Sequence, residues 1–323
     1  MHKSTPYQYL GDGITVIDTG LERPRFAACY LIESNGHAAI FDSGTNYSVP
    51  VILDTLAARG LTRENVRYVI PSHVHLDHAG GVGALLRELP NARVLAHARG
   101  MRHLIDPSVL QASAEGVYGA DVVAQVYGSL VPVPATRIRA LTDGEYVDLN
   151  GRALYFIDSP GHAYHHVALY DEASASWFTG DCFGVSYRDF DGGKAPLICP
   201  ATTPTQFDPV AAKATIARML ERAPRAMLLT HYSRIEQPAE HAQTLVRLLD
   251  TLVALTRQHA GRPNALANLT EAIQRMLAEE LDRLACPISR DLARSLLRLD
   301  AQINAMGLLV WVESAAHSYP IKQ

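Results

Sequence analysis

The segment from residue 72 to residue 81, Ser-His-Val-His-Leu-Asp-His-Ala-Gly-Gly, constrains the fold more than any other part of the chain. It follows an apolar run, Val66–Ile70, that predicts a buried strand, and it precedes residues 82–89, which predict a helix. Three imidazoles and one carboxylate of this segment are ligand types for a divalent metal. On a tight loop at the end of a strand these side chains can converge. Four nearly contiguous ligands suit two adjacent metals better than one.

The pattern His-x-His-x-Asp-His followed by Gly-Gly resembles the signature of the metallo-β-lactamase superfamily. That resemblance implies three later ligands at strand ends, and the chain supplies His162, Asp181 and His231 in the expected order. Residues 41–44 (Phe-Asp-Ser-Gly) match the first motif of the family, so the resemblance covers about residues 12–235. It implies an α/β fold, a four-layer αβ/βα sandwich, with a helical C-terminal extension.

Carried onto this sequence, the family pattern assigns seven metal ligands: His73, His75 and His162 to one metal, Asp77, His78 and His231 to a second, with Asp181 as the bridge. The implied cofactor is a pair of divalent metal ions, zinc first, with iron or manganese as alternatives because mixed histidine and carboxylate ligands suit all three. Asp77 and Asp181, together with a metal-bridging hydroxide, form the predicted catalytic group. Asp42 and His166 are predicted to orient the ligand imidazoles.

Asp181 stands where zinc β-lactamases carry a cysteine, and His78 adds a ligand that their loop lacks. The set is instead similar to that of hydroxyacylglutathione hydrolase (glyoxalase II) and related enzymes. It implies a metal-dependent hydrolase whose bridging hydroxide attacks a thioester, a lactone or another small ester. Two alternatives stay open: an iron-dependent oxidoreductase of the persulfide dioxygenase type, and a ligand-binding or regulatory member with low turnover. The complete second ligand set speaks against the first alternative, and the intact site against the second.

Length and charge limit the partners that we expect. The 323 residues can form one large domain with an appendage, and the net charge of −4, without a basic cluster, favours neither nucleic acid nor a membrane surface. No apolar stretch reaches the roughly 18 residues of a membrane span, and the first residues do not resemble a signal peptide. Four scattered cysteines without a Cys-x-x-Cys pair fit a reducing compartment. We therefore expect a cytoplasmic enzyme that acts on a small molecule. Its oligomeric state is open, with a homodimer as the commonest arrangement for such enzymes.

The predicted organisation is a catalytic domain over residues 1–236 and a mainly helical C-terminal extension over residues 237–323. Two long segments, 106–134 and 182–206, interrupt the regular pattern, and loops of this length are usually functional. We interpret the first as a substrate-covering insertion, the alternative being a surface excursion that packs on itself. The predicted substrate-pocket residues come from these segments and from the residue after the last ligand: Tyr118, Tyr127, Phe183, Tyr187, Arg188 and Tyr232.

In the C-terminal extension, residues 268–271 resemble a capping box that would begin a helix. Ser289 is expected to cap a further helix that ends at residues 306–307, with residues 308–312 as a closing strand. Arg290, Arg294 and Arg298 recur at every fourth position, which predicts one charged row on that helix. A solvated helix face is the simpler interpretation, and docking of an acidic substrate or subunit is the alternative.

Overall fold

The structure is a computed structural model that describes residues 5–202 and 205–318; the side chains of residues 117, 118 and 315–318 lie outside that description. The strands are β1 (Tyr7–Gly11), β2 (Ile14–Asp18), β3 (Ala28–Ser34), β4 (His37–Phe41), β5 (Val66–Ile70), β6 (Arg93–His97), β7 (Ile138–Leu141), β8 (Tyr146–Asp148), β9 (Ala153–Asp158), β10 (Val167–Asp171), β11 (Ser176–Gly180), β12 (Ala226–Leu229) and β13 (Ser233–Glu236). The α-helices are α1 (Val49–Ala58), α2 (Leu76–Ala79), α3 (Val82–Glu88), α4 (Ala98–Ile105), α5 (Ser108–Tyr118), α6 (Ala120–Val126), α7 (Pro209–Leu220), α8 (Pro238–His259), α9 (Ala265–Arg283), α10 (Arg290–Leu296) and α11 (Arg298–Ser318).

The fold contains two mixed β-sheets, of seven and six strands. The first has the strand order β1-β2-β3-β4-β5-β6-β7, antiparallel as far as β4 and parallel from there on. The second has the order β13-β12-β11-β10-β9-β8 and is antiparallel except where β11 meets β12. The carboxyl ends of the parallel strands β4, β5 and β6 therefore lie at one edge, which is where ligand-bearing loops usually follow.

The core is divided by the side-chain alternation of the strands. On β3, Cys29 and Leu31 point to the face that packs against apolar residues of α1 and α3. The alternating residues Tyr30 and Ile32 point to the opposite face of the strand, which packs against the second sheet. A strand buried on both faces reads as a continuous apolar run, which is what its sequence shows.

Local sequence signals predicted several elements correctly. Asn35 and Gly36 connect β3 and β4 with positive φ angles of 44° and 77°, as a two-residue hairpin turn with the Asn-Gly pair requires. Helix α1 ends just before Gly60, whose φ of 73° terminates it without the steric cost that a side chain would add. Together the two sheets and the helical C-terminal region confirm the predicted α/β sandwich.

The chain forms two compact units that are discontinuous in sequence. Unit 1 contains the described residues of Met1–Ser159, His165–Gly180 and Pro224–Glu236, and both sheets belong to it. Unit 2 contains Pro160–Tyr164, Asp181–Ala223 and the described residues from Gln237 onward, including α7 and α8 to α11. The predicted division into a catalytic domain that ends at residue 236 and a C-terminal extension that begins at residue 237 stays a prediction.

The C-terminal region corrects three expectations. Helix α9 begins at Ala265 behind Asn264, so the predicted capping box at residues 268–271 lies inside the helix. Ser289 does cap α10, but that helix ends at Leu296, and α11 then runs through residues 308–312, where a strand was expected. Ala301, Asn304, Ala305 and Leu308 are buried at helical spacing, and this periodicity outweighs the single glycine at position 307.

The break between α10 and α11 also divides the predicted arginine row. Arg290 and Arg294 lie on α10, whereas Arg298 begins α11. The composition of segment 106–134 does not decide its helical content, and the structure has the two helices α5 and α6 there. The short strands β1, β8 and β13 had no prediction. Among the described residues, no helix combines the length and hydropathy that crossing a lipid bilayer requires.

Candidate metal site

The histidine-rich loop leaves the sheet at the end of β5 and passes into the short helix α2. Close packing of this loop against residues 43–45 explains why it contains the Gly80-Gly81 pair. A Cβ on Gly81 would lie 2.6 Å from the carbonyl oxygen of Thr45 and 2.9 Å from that of Ser43. The backbone amide of Gly81 also donates to the carbonyl of Gly44 over 2.9 Å. Only a residue without a side chain lets this loop pack against residues 43–45.

The first two ligands of the loop lie side by side in unit 1. The Nε2 atom of His73 is 2.7 Å from Nδ1 of His75. His73 is buried and His75 is half-buried, and the ring of His73 also lies 4.2 Å, centroid to centroid, from that of His78. The two ring nitrogens are within hydrogen-bond distance of each other, so both imidazoles face the same point in space.

Asp77, His78 and His231 form a second group in the same unit. Oδ2 of Asp77 lies 3.2 Å from Nε2 of His231 and 3.5 Å from Nε2 of His78. One ligand atom from each of the three residues lies within 4.8 Å of the others, so the group could hold a metal ion. His231 follows β12, a strand of the second sheet of the same unit, and there it meets Asp77, which lies 154 positions earlier in the sequence.

The remaining two predicted ligands belong to unit 2. Nε2 of His162 lies 3.3 Å from Oδ2 of Asp181, and both side chains are buried. Gly161, just before His162, has a φ of 131°, and a Cβ there would lie 2.7 Å from the Cβ of Ala212 on α7. This glycine therefore lets the ligand loop pass directly over the helix.

The ring nitrogens show that the imidazoles are oriented as metal ligands usually are. His231 has its Nδ1 at 2.9 Å from the carbonyl oxygen of Phe26, and His162 has its Nδ1 at 3.0 Å from that of Ala201. His78 has its Nδ1 at 2.8 Å from Oδ2 of Asp42. An acceptor at one ring nitrogen holds the proton there and leaves Nε2 with a lone pair for a metal. The residues thus fit a divalent cation with nitrogen and oxygen ligands.

Asp42 is the centre of the buried hydrogen-bond network behind these ligands. Besides His78, its carboxylate accepts from the amide of Ser72 at 2.7 Å and from the hydroxyl of Thr230 at 2.6 Å. The residue is fully buried and has a φ of 58°, a backbone conformation that aspartate tolerates better than most residues. Its predicted orienting role is consistent with these contacts and stays a prediction.

His166 lies beside the first ligand. Its ring stacks on that of His73 with centroids 4.9 Å apart, and its Nδ1 is 2.6 Å from the hydroxyl oxygen of Ser159. The hydroxyl of Ser72 is 3.0 Å from Nδ1 of His73. Both predicted orienting residues therefore contact a predicted ligand: Asp42 contacts His78, and His166 stacks on His73.

The six predicted pocket residues differ in exposure. Tyr127 and Arg188 are half-buried, while Phe183 is fully buried and Tyr187 nearly so, its hydroxyl donating to Asp300 at 2.7 Å. Tyr232 belongs to the buried cluster between the sheets, and the side chain of Tyr118 lies outside the described part of the chain. Their role toward a substrate stays a prediction.

Sequence reasoning missed two residues that support the ligands. Thr230 stands directly before His231, and its hydroxyl donates to Asp42. The position of this hydroxyl next to a predicted ligand was the sequence feature that could have indicated its role. Asn304 on α11 accepts from the amide of Thr202 at 2.7 Å and donates to the carbonyl of Pro200 at 3.1 Å. These two bonds flank Ala201, the acceptor of His162, and no sequence signal connects residues about a hundred positions apart.

His103 on α4 lies beside the ligand region of unit 1, with its ring 6.4 Å from that of His165. Burial, and to a smaller extent the charge of Arg102, lower the pKa of His103. A neutral imidazole is therefore expected at this position at neutral pH.

The family is decided by comparison with known proteins. The family model of the metallo-beta-lactamase superfamily matches residues 22–231, which is more than half of the chain. The chain belongs to the metallo-β-lactamase superfamily. The match begins in unit 1 and ends on His231, so it includes every ligand predicted from the sequence.

Curated members of the superfamily resemble the chain over part of its length. The metallo-beta-lactamase fold-containing protein ST1585 of Sulfurisphaera tokodaii is 27% identical over 224 residues, covering 68% of this chain and 78% of its own. A hydroxyacylglutathione hydrolase of Aeromonas hydrophila is 29% identical and covers 47% of this chain and 44% of its own. The human acyl-coenzyme A thioesterase MBLAC2 is 28% identical, with 56% and 65% covered. The matches to these two hydrolases thus span less than two thirds of their length.

Solved structures of superfamily members confirm the fold. The crystal structure of ST1585 from Sulfolobus tokodaii superposes with a TM-score of 0.65 at 23% identity, covering 92% of this chain and 98% of that one. TTHA1429 from Thermus thermophilus gives a TM-score of 0.64 at 19% identity, with 95% of each chain covered. At such identities the likeness concerns the fold alone.

Proposed function

We propose that this superfamily member is a metal-dependent hydrolase of a thioester, a lactone or another small ester. The observation that carries the proposal is the group Asp77, His78 and His231, a carboxylate and two imidazoles that could hold a metal ion. The seven ligands named from the sequence remain the proposed metal-binding set, with two divalent ions as the proposed cofactor.

When bound, such ions supply Lewis-acid activation of water and of the substrate carbonyl. The chain's own residues prepare the site for that chemistry. Asp42 and the carbonyl groups of Phe26 and Ala201 hold protons on the Nδ1 atoms of His78, His231 and His162. The imidazole rings then need no reorientation before their Nε2 atoms bind a metal. Ligands that are already oriented lower the free-energy cost of forming the metal site.

Asp77 differs from the other ligands in its exposure. Its side chain is 26% exposed, whereas those of His78 and His231 are 0% and 6% exposed. A partly accessible carboxylate among buried imidazoles can contact water or a leaving group as well as a cation. This supports the predicted catalytic role of Asp77, and we propose the same role for Asp181 from its bridging position in the sequence pattern.

The substrate class is proposed from the relatives. Two of the similar proteins are named for the hydrolysis of thioesters, a hydroxyacylglutathione hydrolase and an acyl-coenzyme A thioesterase. Both reactions need an activated water and an electrophilic carbonyl next to sulfur, and a metal site of this composition can serve both. We therefore place thioesters before lactones and other esters.

The test is an activity screen of the purified, metal-loaded protein on acyl-coenzyme A, S-lactoylglutathione and lactone substrates. The expected result is thioester hydrolysis that disappears, together with bound metal, in His75→Ala. His37→Ala is the matched control, because His37 is no predicted ligand, and it should keep both. Full activity in His75→Ala would overturn the site, and oxygen uptake with a persulfide and one equivalent of iron would favour the oxidoreductase.

A further inference from the structure

A cavity of about 240 Å³ lies in unit 2 between helices α9 and α10. Its inner surface is apolar and comprises Ala278, Leu281, Ala293 and Leu297. None of the seven predicted metal ligands lines it. A cavity of this size approaches the lower end of the volumes at which proteins bind small molecules.

Five charged side chains line the same cavity. One of them, Arg290, is paired with Asp282 at 2.6 Å. The other four do not bond to one another. Arg275 and Glu271 come from α9, and Arg294 and Asp291 come from α10. Among the described residues, none of these four side chains has a hydrogen bond or an ion pair. Two positive and two negative groups of the lining therefore have no partner among the described residues, and they lie beside its apolar side chains.

Neighbouring arginines on the same helices behave differently. Arg283, on α9, donates to Glu280 at 2.5 Å, and Arg290, on α10, donates to Asp282 at 2.6 Å. Carboxylate partners are thus available on this surface, and these arginines use them. The guanidinium groups of Arg275 and Arg294 are the ones that remain for an external carboxylate, which they can bind through two parallel hydrogen bonds.

We propose that this cavity binds a zwitterionic α-amino acid with an apolar side chain. The ligand carboxylate would pair with Arg294 and Arg275, and the ligand ammonium with Glu271 and Asp291. The apolar side chain would cover Leu281 and Leu297. Because Arg290 is already paired with Asp282, two cations and two anions of the lining are left for a ligand. This balance favours a zwitterion over a simple anion, because a simple anion would leave both carboxylates of the cavity facing a like charge.

The proposal also explains the arginine row of the sequence. Arg290, Arg294 and Arg298 follow one another at helical spacing, but only the first two line the cavity. Arg298 lies beyond the break at Leu297 and is exposed. Arg298→Gln is therefore a matched control for Arg294→Gln.

The test is isothermal titration calorimetry of the full, metal-loaded chain with L-leucine. Two comparators of the same apolar shape each lack one charge: 4-methylpentanoate has no ammonium group, and 3-methylbutylamine has no carboxylate. We expect L-leucine to bind and each comparator to bind about tenfold more weakly, since charged hydrogen bonds contribute at least that factor. Equal affinity for leucine and a comparator would overturn the proposal.

The variants locate the binding. Arg294→Gln and Glu271→Gln should each weaken leucine binding about tenfold, while Arg298→Gln and Glu279→Gln, both exposed and outside the cavity lining, should change it less than about twofold. Leucine can also chelate a metal ion. Binding that is unchanged in both cavity variants and disappears when metal is removed would overturn the proposal, as would the absence of binding.

Discussion

The Nδ1 atom of His78 lies 2.8 Å from Oδ2 of Asp42, and both side chains are fully buried. This pair joins the first motif of the sequence to the histidine-rich loop. It also fixes which nitrogen of His78 carries the proton, because a carboxylate can only accept. The opposite nitrogen, Nε2, is the one that faces Asp77.

Replacing Asp42 with asparagine tests that relationship. Asp42→Asn keeps the shape but removes the charge that holds the imidazole proton, so we expect metal affinity to fall by about 10- to 100-fold. Competition with a chelator of known affinity measures the change. Asp158→Asn is the matched control, because Asp158 lies 3.5 Å from the imidazole of His97, which is no predicted ligand. Equal metal affinity in Asp42→Asn and in the native chain would contradict the orienting role.

Asn304 is predicted to act on His162 through the segment that contains Ala201. Asn304→Leu removes the bonds to Pro200 and Thr202 and leaves buried polar groups unpaired, so we expect the free energy of unfolding to fall by about 2–4 kcal/mol. We also expect weaker metal binding, measured by chelator competition on the folded variant. Gln302→Leu, exposed on the same helix, is the control. A loss of stability with unchanged metal affinity would show that Asn304 has no part in placing His162.

Gly161 tests the close approach of the ligand loop to α7. An alanine there would be strained by the φ of 131° and would collide with the backbone of Ala212, so Gly161→Ala should lower the free energy of unfolding by about 2 kcal/mol or more. Gly60→Ala is the control, because Gly60 has a φ of 73° but open space around its Cα, and it should cost only about 1 kcal/mol. Chemical denaturation measures both. Similar losses in the two variants would argue against the collision.

The buried Glu280 predicts a pH dependence of stability. Burial alone would raise its pKa, but hydrogen bonds from Arg283 and Arg247 outweigh this effect and lower the pKa. A carboxyl whose pKa is lower in the folded chain stabilises it above the ordinary pKa of about 4.3, and this contribution is lost as the pH falls through the lowered value. Because both arginines are about half exposed, we expect Glu280→Gln to cost about 1–2 kcal/mol at pH 7.

Denaturation of Glu280→Gln as a function of pH measures this contribution. The difference from the native chain should shrink as the pH falls below about 4.3 and should vanish below the lowered pKa, where the native carboxyl is protonated too. Glu279→Gln, at the exposed neighbouring position, is the control and should differ little at any pH. A difference that stays constant down to pH 3 would contradict the ionic origin of the stabilisation.

The sequence predicted those features that depend on short-range signals. The Asn35-Gly36 turn, the helix end at Gly60 and the strand Val66–Ile70 each follow from a few adjacent residues, and the structure has them where expected. The predicted ligands share this property, because each stands directly after an apolar strand run. In unit 1 the structure brings together His73, His75, Asp77, His78 and His231, and in unit 2 it brings together His162 and Asp181.

The errors and the omissions concern regions where long-range packing decides the structure. The run at residues 308–312 is apolar enough for a strand, but Leu308 is buried in the same row as Ala301 and Ala305, and this row continues α11. Segment 106–134 is rich in glycine and proline and yet contains α5 and α6. The bonds of Asn304 to residues 200 and 202 depend on the tertiary fold and leave no periodic signal in the sequence.

The most direct test of the central claim is the metal content of the purified protein, determined by elemental analysis after expression in metal-replete medium. We predict about two equivalents of a divalent metal per chain, as for a two-metal site with seven ligands. We predict that His231→Ala, which removes one ligand of the Asp77, His78 and His231 group, lowers this value. A native chain that carries no metal under these conditions would contradict the assignment of these side chains as a metal site.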